Sequence, residues 1–120
     1  MIHREGLQVA YLGVALAHYL DLETGDIIDL PFEAGAPGSG DRYRQVPVRT
    51  AESEALDREL FLDSKDAAPL RDSLAEVLTD PQAYRQVLSA DRRVERSFFN
   101  FKNDRASQAI EAWLEAEGLA

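Results

Sequence analysis

The spacing of apolar and polar positions changes once along the chain, near residue 50. Between Val14 and Val48 it is the spacing of strands. Leu16, His18, Leu20 and Leu22 alternate with Ala15, Ala17, Tyr19 and Asp21, the two-residue period of a half-buried strand. Glu23-Thr24-Gly25-Asp26 follows, and then Ile27, Ile28 and Leu30. Gly25 can adopt the positive φ of a tight reversal, so the segment predicts a β-hairpin whose second strand is closed by Pro31. Residues 33–41 (EAGAPGSGD) are rich in glycine and predict a flexible surface loop. A third strand is expected over 42–48, at a sheet edge, because Pro47 lacks the N–H that a central strand donates. Ahead of the sheet, Leu7, Ala10, Tyr11 and Val14 fall at helical spacing but equally suit the start of a long first strand. Residues 5–13 therefore stay open between helix and strand.

From Thr50 onward the period is helical. Thr50 suits an N-cap, with Glu52 and Glu54 in the first turn, where the helix dipole favours negative charge. Leu56, Leu60 and Phe61 form the expected buried stripe, and Ser64 to Asp66 interrupt it. Leu70, Leu74, Val77 and Leu78 share one side of the next helix. Asp80 then caps a third helix, with Pro81 in its first turn. Tyr84, Val87 and Leu88 make its apolar stripe. The last helical region runs from about Asp91 to Glu117 and ends at Gly118, a residue suited to a left-handed cap. Whether 91–117 is one helix or two stays open, because Asn100 to Asn103 offer a point of breakage. Strands first and helices afterwards predict an α+β fold. Its small antiparallel sheet, the N-terminal hairpin plus an edge strand, is packed by a helical C-terminal half of about four helices. Residues 1–120 read as a single domain, with a β-rich part over 14–48 and an α-helical part over 50–118. Trp113, Phe98, Phe101, Leu74 and Leu78 are the expected core.

Composition narrows the function classes. The 120 residues include no cysteine, which excludes disulfides, thiolate metal centres and thiol catalysis. The N-terminal apolar run is broken by Gln8, His18 and Asp21 and is too short to span a bilayer, so a soluble, cytoplasmic protein without a membrane partner is expected. The net charge of −9 argues against a protein coated for duplex DNA or anionic lipid. The charge is uneven: residues 1–80 carry 7 basic and 16 acidic side chains, whereas residues 81–110 carry 6 basic and 3 acidic. The basic segment is also the aromatic one. Arg85, Arg92, Arg93, Arg96, Lys102 and Arg105 stand among Tyr84, Phe98, Phe99 and Phe101. Cations alternating with rings suit single-stranded nucleic acid. Helical spacing instead sends the rings inward with Ala106, Ile110, Trp113 and Leu114, and leaves the arginines solvated or paired with the acidic first half.

No catalytic constellation emerges. Asp21, Glu23, Asp26 and Asp29 resemble a calcium loop, but counting from Asp21 puts Gly25 fifth and Phe32 twelfth, and the required glycine and glutamate positions are missed. Carboxylates flanking a hairpin on an exposed strand face are the simpler reading. His3 and His18, the only histidines, lack zinc-ligand spacing, and His18 is expected to be hydrogen-bonded and partly buried. In AGAPGSGD, Asp41 follows Gly40 where a phosphate loop needs lysine and a hydroxyl residue. No metal site and no cofactor is predicted.

Four segments carry a resemblance. Tyr19-Leu20-Asp21-Leu22-Glu23-Thr24-Gly25-Asp26, Arg42-Tyr43-Arg44-Gln45-Val46-Pro47 and Ala83-Tyr84-Arg85-Gln86-Val87-Leu88 are followed by Phe98-Phe99-Asn100-Phe101-Lys102-Asn103 with Trp113-Leu114-Glu115 and Gly118-Leu119. In that order, over residues 14–119, they resemble motifs of a group of small bacterial proteins, uncharacterised protein family 0158. Phe98 stands where the family has tryptophan, and Leu7 to Val14 replace its usual acidic opening. The resemblance implies a soluble bacterial protein with a small sheet and a helical C-terminal half, and it supplies no activity. The functional expectation is a non-enzymatic protein-interaction or regulatory module, with a protein partner or self-association. The alternative is a single-stranded RNA binder through residues 84–105. A carboxylate hydrolase using Asp21 and Asp26 is a residual reading, requiring both groups to converge in a pocket with raised pKa values. The candidate binding residues are Asn100, Lys102, Asn103, Arg105, Tyr84, Arg85, Arg92, Arg93 and Arg96.

Overall fold

The computed structural model describes residues 2–38 and 40–119. The element order is α1 (Arg4–Leu12), β1 (Ala17–Asp21), β2 (Ile27–Leu30), β3 (Tyr43–Gln45), α2 (Ala51–Leu62), α3 (Arg71–Glu76), α4 (Pro81–Leu88) and α5 (Arg92–Ala116). Short 3-10 turns occupy Phe32–Ala34, Gly40–Arg42 and Lys65–Leu70. This is an α+β fold, with strands early and helices mostly late. The chain divides into two compact units: residues 1–49 with 106–120, and residues 50–105.

In the first unit, the described residues form an antiparallel sheet ordered β2-β1-β3. Gly25, at φ 80°, makes the reversal between β1 and β2, and its N–H donates to the Asp21 carbonyl at 2.7 Å. The register sets Tyr19 opposite Ile28 and, on the other side, opposite Gln45. β3 is an edge strand, as expected, but it ends at Gln45, short of the expected 42–48, so Pro47 lies beyond it. The open segment 5–13 is helical: α1 is capped by His3 Nδ1, which accepts from the Gly6 N–H. Leu7 and Ala10 of α1, Leu20, Val46, Ile110 and Leu114 form the core, with half-buried Trp113 and Leu119 against it. β1 departs from simple alternation. Ala17, Tyr19, Leu20 and Asp21 are all buried, and His18 is nearly so. Two of these positions are polar, and each is held by bonds described below.

In the second unit, Thr50 Oγ1 caps α2 by accepting from the Ser53 N–H, and Asp80 caps α4 by accepting from the Ala83 N–H. Phe61, Ala67, Leu74, Tyr84, Leu88, Val94 and Phe98 form its core, with Leu78 and Phe101 half-buried against it. Phe98 packs edge-on to Phe61 at 5.2 Å between ring centroids. The inward side of α2 differs from the expected stripe: Asp57 and Phe61 are buried, whereas Leu56 is exposed. On that inward side the Asp57 carboxylate accepts from the Arg105 guanidinium. α5 runs unbroken through residues 100–103.

Candidate functional site

The start of α5 determines where the basic side chains go. Asp91 Oδ1 accepts from the N–H groups of Arg93 and Val94, at 2.9 and 3.3 Å, and so caps the helix. Val94, Phe98 and Phe101 then follow at helical spacing and face the core. That phase leaves Arg93, Arg96, Asn100 and Asp104 on the opposite, exposed side. Arg92 and Phe99 lie beside them and are also exposed.

The nine residues expected from the sequence divide between this face, the core and α4. Tyr84 is buried in the core, and its hydroxyl donates to the Arg58 carbonyl at 3.2 Å. Burial pushes that hydroxyl's pKa up to about 12, partly offset by the charge of Arg58. A ring in that position is closed to an incoming base. Arg105 donates from Nε to Asp57 Oδ1 at 2.6 Å, so its charge is spent within the fold. Lys102 lies half-buried, with Nζ 5.7 Å from the Phe98 ring and 5.6 Å from the Phe99 ring. Asn103 is exposed and engaged within the protein. Asn100, Arg85, Arg92, Arg93 and Arg96 are exposed.

The arginines are sorted by pairing. Arg4 pairs with Glu111, and Arg42 with Asp21. Arg44, Arg58 and Arg71 donate to backbone carbonyls, and Arg49 is buried and engaged. Among the described residues, Arg85, Arg92, Arg93 and Arg96 form no salt bridge and no guanidinium hydrogen bond. In a chain with 22 acidic and 13 basic side chains, leaving these four arginines unpaired is not what charge balance alone would produce.

Two shallow cavities flank Asn100. One, of about 290 Å³, is lined by Arg92, Arg96 and Phe99, with Glu95 at its side. The other, of about 160 Å³, has Phe61 and Phe101 behind it and Ser64, Ser97, Asp66 and Asp104 around it. Asp66 and Asp104 form no ion pair among the described residues. One cavity is cationic, its neighbour anionic.

The hairpin carboxylates form no comparable site. Asp21 is buried, which corrects the expectation of an exposed strand-face carboxylate. It accepts from Arg42 Nε at 3.1 Å and Nη2 at 2.8 Å, and from the Glu23 N–H at 2.9 Å. The Arg42 guanidinium holds its carboxyl well below the usual carboxylate range, and Arg42 is raised in return. A general acid would need the opposite shift. His18 is partly buried, as expected, between Asp29 Oδ1 at 2.6 Å and the Gly13 carbonyl at 2.8 Å. Among the described residues no group of three or more histidine, aspartate or glutamate side chains is arranged to hold a metal ion. No helix among them is long and apolar enough to cross a membrane. Sequence reasoning missed Asp57, whose signal was its position four residues before Phe61, and the Asp21–Arg42 pair, which joins segments twenty-one residues apart.

Comparison with known proteins returns nothing: no protein-family model, no curated protein and no solved structure matches the chain.

Proposed function

We propose that the protein is a non-enzymatic interaction module whose binding surface is the exposed basic face at the start of α5, and that it receives an acidic segment of a protein. The observation that carries this reading is the set of unpaired arginines, Arg92, Arg93 and Arg96, with Arg85 on α4. Arg92 and Arg93 occupy the first turn of a helix, where the dipole disfavours cations. Local stability does not account for them there, and positions that break a local rule are where function is expected. Exposed Phe99 supplies an apolar contact beside the charges.

The single-stranded RNA reading needs several rings on which bases can stack. Of the four aromatics in the basic segment only Phe99 is exposed, and Lys102 sits over it. A protein partner asks for no such series. Membership of uncharacterised protein family 0158 belongs to the same proposal, resting on the motifs in residues 14–119.

The test is fluorescence anisotropy of a labelled glutamate-rich peptide, with single-stranded RNA of equal charge as competitor, at two salt concentrations. Peptide binding that weakens with salt and is lost in the Arg92→Ala, Arg93→Ala, Arg96→Ala triple variant is the expected result. Absence of peptide binding overturns the reading. RNA binding of higher affinity replaces it with the alternative.

A further inference from the structure

The face of α5 around Asn100 is complementary to itself. Arg96 lies four residues before Asn100 and Asp104 four residues after it, all three exposed on one side of the helix. The two charges are about 12 Å apart along the axis at 1.5 Å per residue, with Asn100 midway. The cavities repeat this arrangement. The cationic one, with Arg92 and Arg96, and the anionic one, with Asp66 and Asp104, adjoin at Asn100. Asp104 and Arg96 stay unpaired with each other and with the rest of the described chain.

We propose that this face is occupied by a second copy of the same chain, the two α5 helices meeting antiparallel about a two-fold axis at Asn100. A rotation about that point sets Arg96 of each copy against Asp104 of the other, so the ion pair forms twice in one isologous contact. Each Arg96 guanidinium enters the partner's anionic cavity, where Asp66 adds charge, Ser64 and Ser97 offer hydroxyl acceptors and the rings behind supply an apolar wall. The side-chain amides of the two Asn100 residues meet on the axis, each able to donate to and accept from the other, which sets the register as a buried asparagine does in a coiled coil. Phe99 adds apolar area beside the axis. The proposal rests on the basic face being a protein-binding surface and names the acidic segment that fills it.

An isologous charge pair makes a distinctive prediction for sedimentation velocity of the full chain from micromolar to millimolar concentration. The wild type associates to a dimer, less so at high salt. Arg96→Asp or Asp104→Arg alone sets like charges together at both contacts and weakens association more than about tenfold. Mixing the two single variants restores association. In the mixed dimer the two introduced side chains, of opposite charge, meet at one contact, and the native Arg96 and Asp104 meet at the other. Combining both changes in one chain restores association too. Arg96→Gln and Asp104→Asn serve if a reversal disturbs folding by circular dichroism: each weakens association alone, and their mixture recovers part of it through the one native Arg96–Asp104 contact. A wild type that stays monomeric at millimolar concentration, single variants that dimerise like the wild type, or a mixture that fails to associate each overturns the pairing. A monomer that still binds the acidic peptide through its arginines overturns the pairing alone. A monomer that binds no peptide overturns both readings.

Discussion

Asp21 keeps its charge in a nearly closed position because three donors reach it: two nitrogens of Arg42 and the Glu23 N–H. Its depressed pKa ties part of the fold's stability to pH. The sign follows from where the proton sits. Above the unfolded value of 3.8 the carboxylate is ionised in both states and the clamp is fully present. As pH falls below that value the unfolded chain takes up the proton first, and the contribution is lost towards the lower folded value. Asp21→Asn should therefore flatten the acid limb of a stability–pH profile, measured by chemical denaturation between about pH 5 and pH 2. An unchanged limb would show that Arg42 does not hold the carboxylate. Arg105 offers a contrasting case. It stands among the candidate binding residues, yet it donates to buried Asp57. Arg105→Ala should lower stability by roughly 1–3 kcal/mol, less than a fully buried pair because the arginine is partly exposed, and should leave peptide binding intact. A loss of binding without a loss of stability would return Arg105 to the site.

At the scale of elements, helix ends carried the most legible information. Thr50 and Asp80 cap as their residue types and positions predict. Gly118, at φ 71°, closes α5: its own N–H donates to the Glu115 carbonyl at 3.1 Å, and the Leu119 N–H reaches back to the Leu114 carbonyl at 2.8 Å. Open space surrounds the position of a Cβ at Gly118, so Gly118→Ala tests backbone strain alone. It should cost about 1 kcal/mol in chemical denaturation, and a neutral result would mean that the end of α5 frays. The hairpin was legible for the same reason, since Gly25 is a local requirement. What could not be read were choices settled by distant partners. Leu56 and Asp57 are adjacent, and the one turned inward on α2 is Asp57, which meets Arg105 far along the chain. Residues 5–13 suited two periods, and the decision came from packing of Leu7 and Ala10 against Leu20 and Ile110. The candidate surface was half legible. The basic segment was evident, while the withdrawal of Tyr84 and Arg105 into the second unit had no signal in local spacing.

For the whole molecule, the question is why an acidic chain holds Arg92 and Arg93, unpaired among the described residues, at a helix start. Two electrostatic effects oppose each other there. A cation anywhere on a protein of net charge −9 reduces its self-repulsion, which favours Arg92 and Arg93. The same cations meet the positive end of the α5 dipole, which disfavours each by about 0.3–1 kcal/mol. Salt decides which effect wins. At physiological ionic strength the Debye length is about 8 Å, so repulsion summed over the molecule is largely screened, while the dipole acts within a single turn. Arg92→Gln with Arg93→Gln should therefore raise stability by a few tenths to about 1 kcal/mol at physiological salt, read as an upward shift in the midpoint of urea denaturation. In very dilute buffer, where the Debye length grows to about 30 Å, the gain should shrink or reverse as self-repulsion returns. The same variant should lose affinity for the acidic peptide. Stability gained as binding is lost is the relation expected of side chains retained for a surface function. A double variant that is destabilised at physiological salt would instead assign the two arginines to the fold.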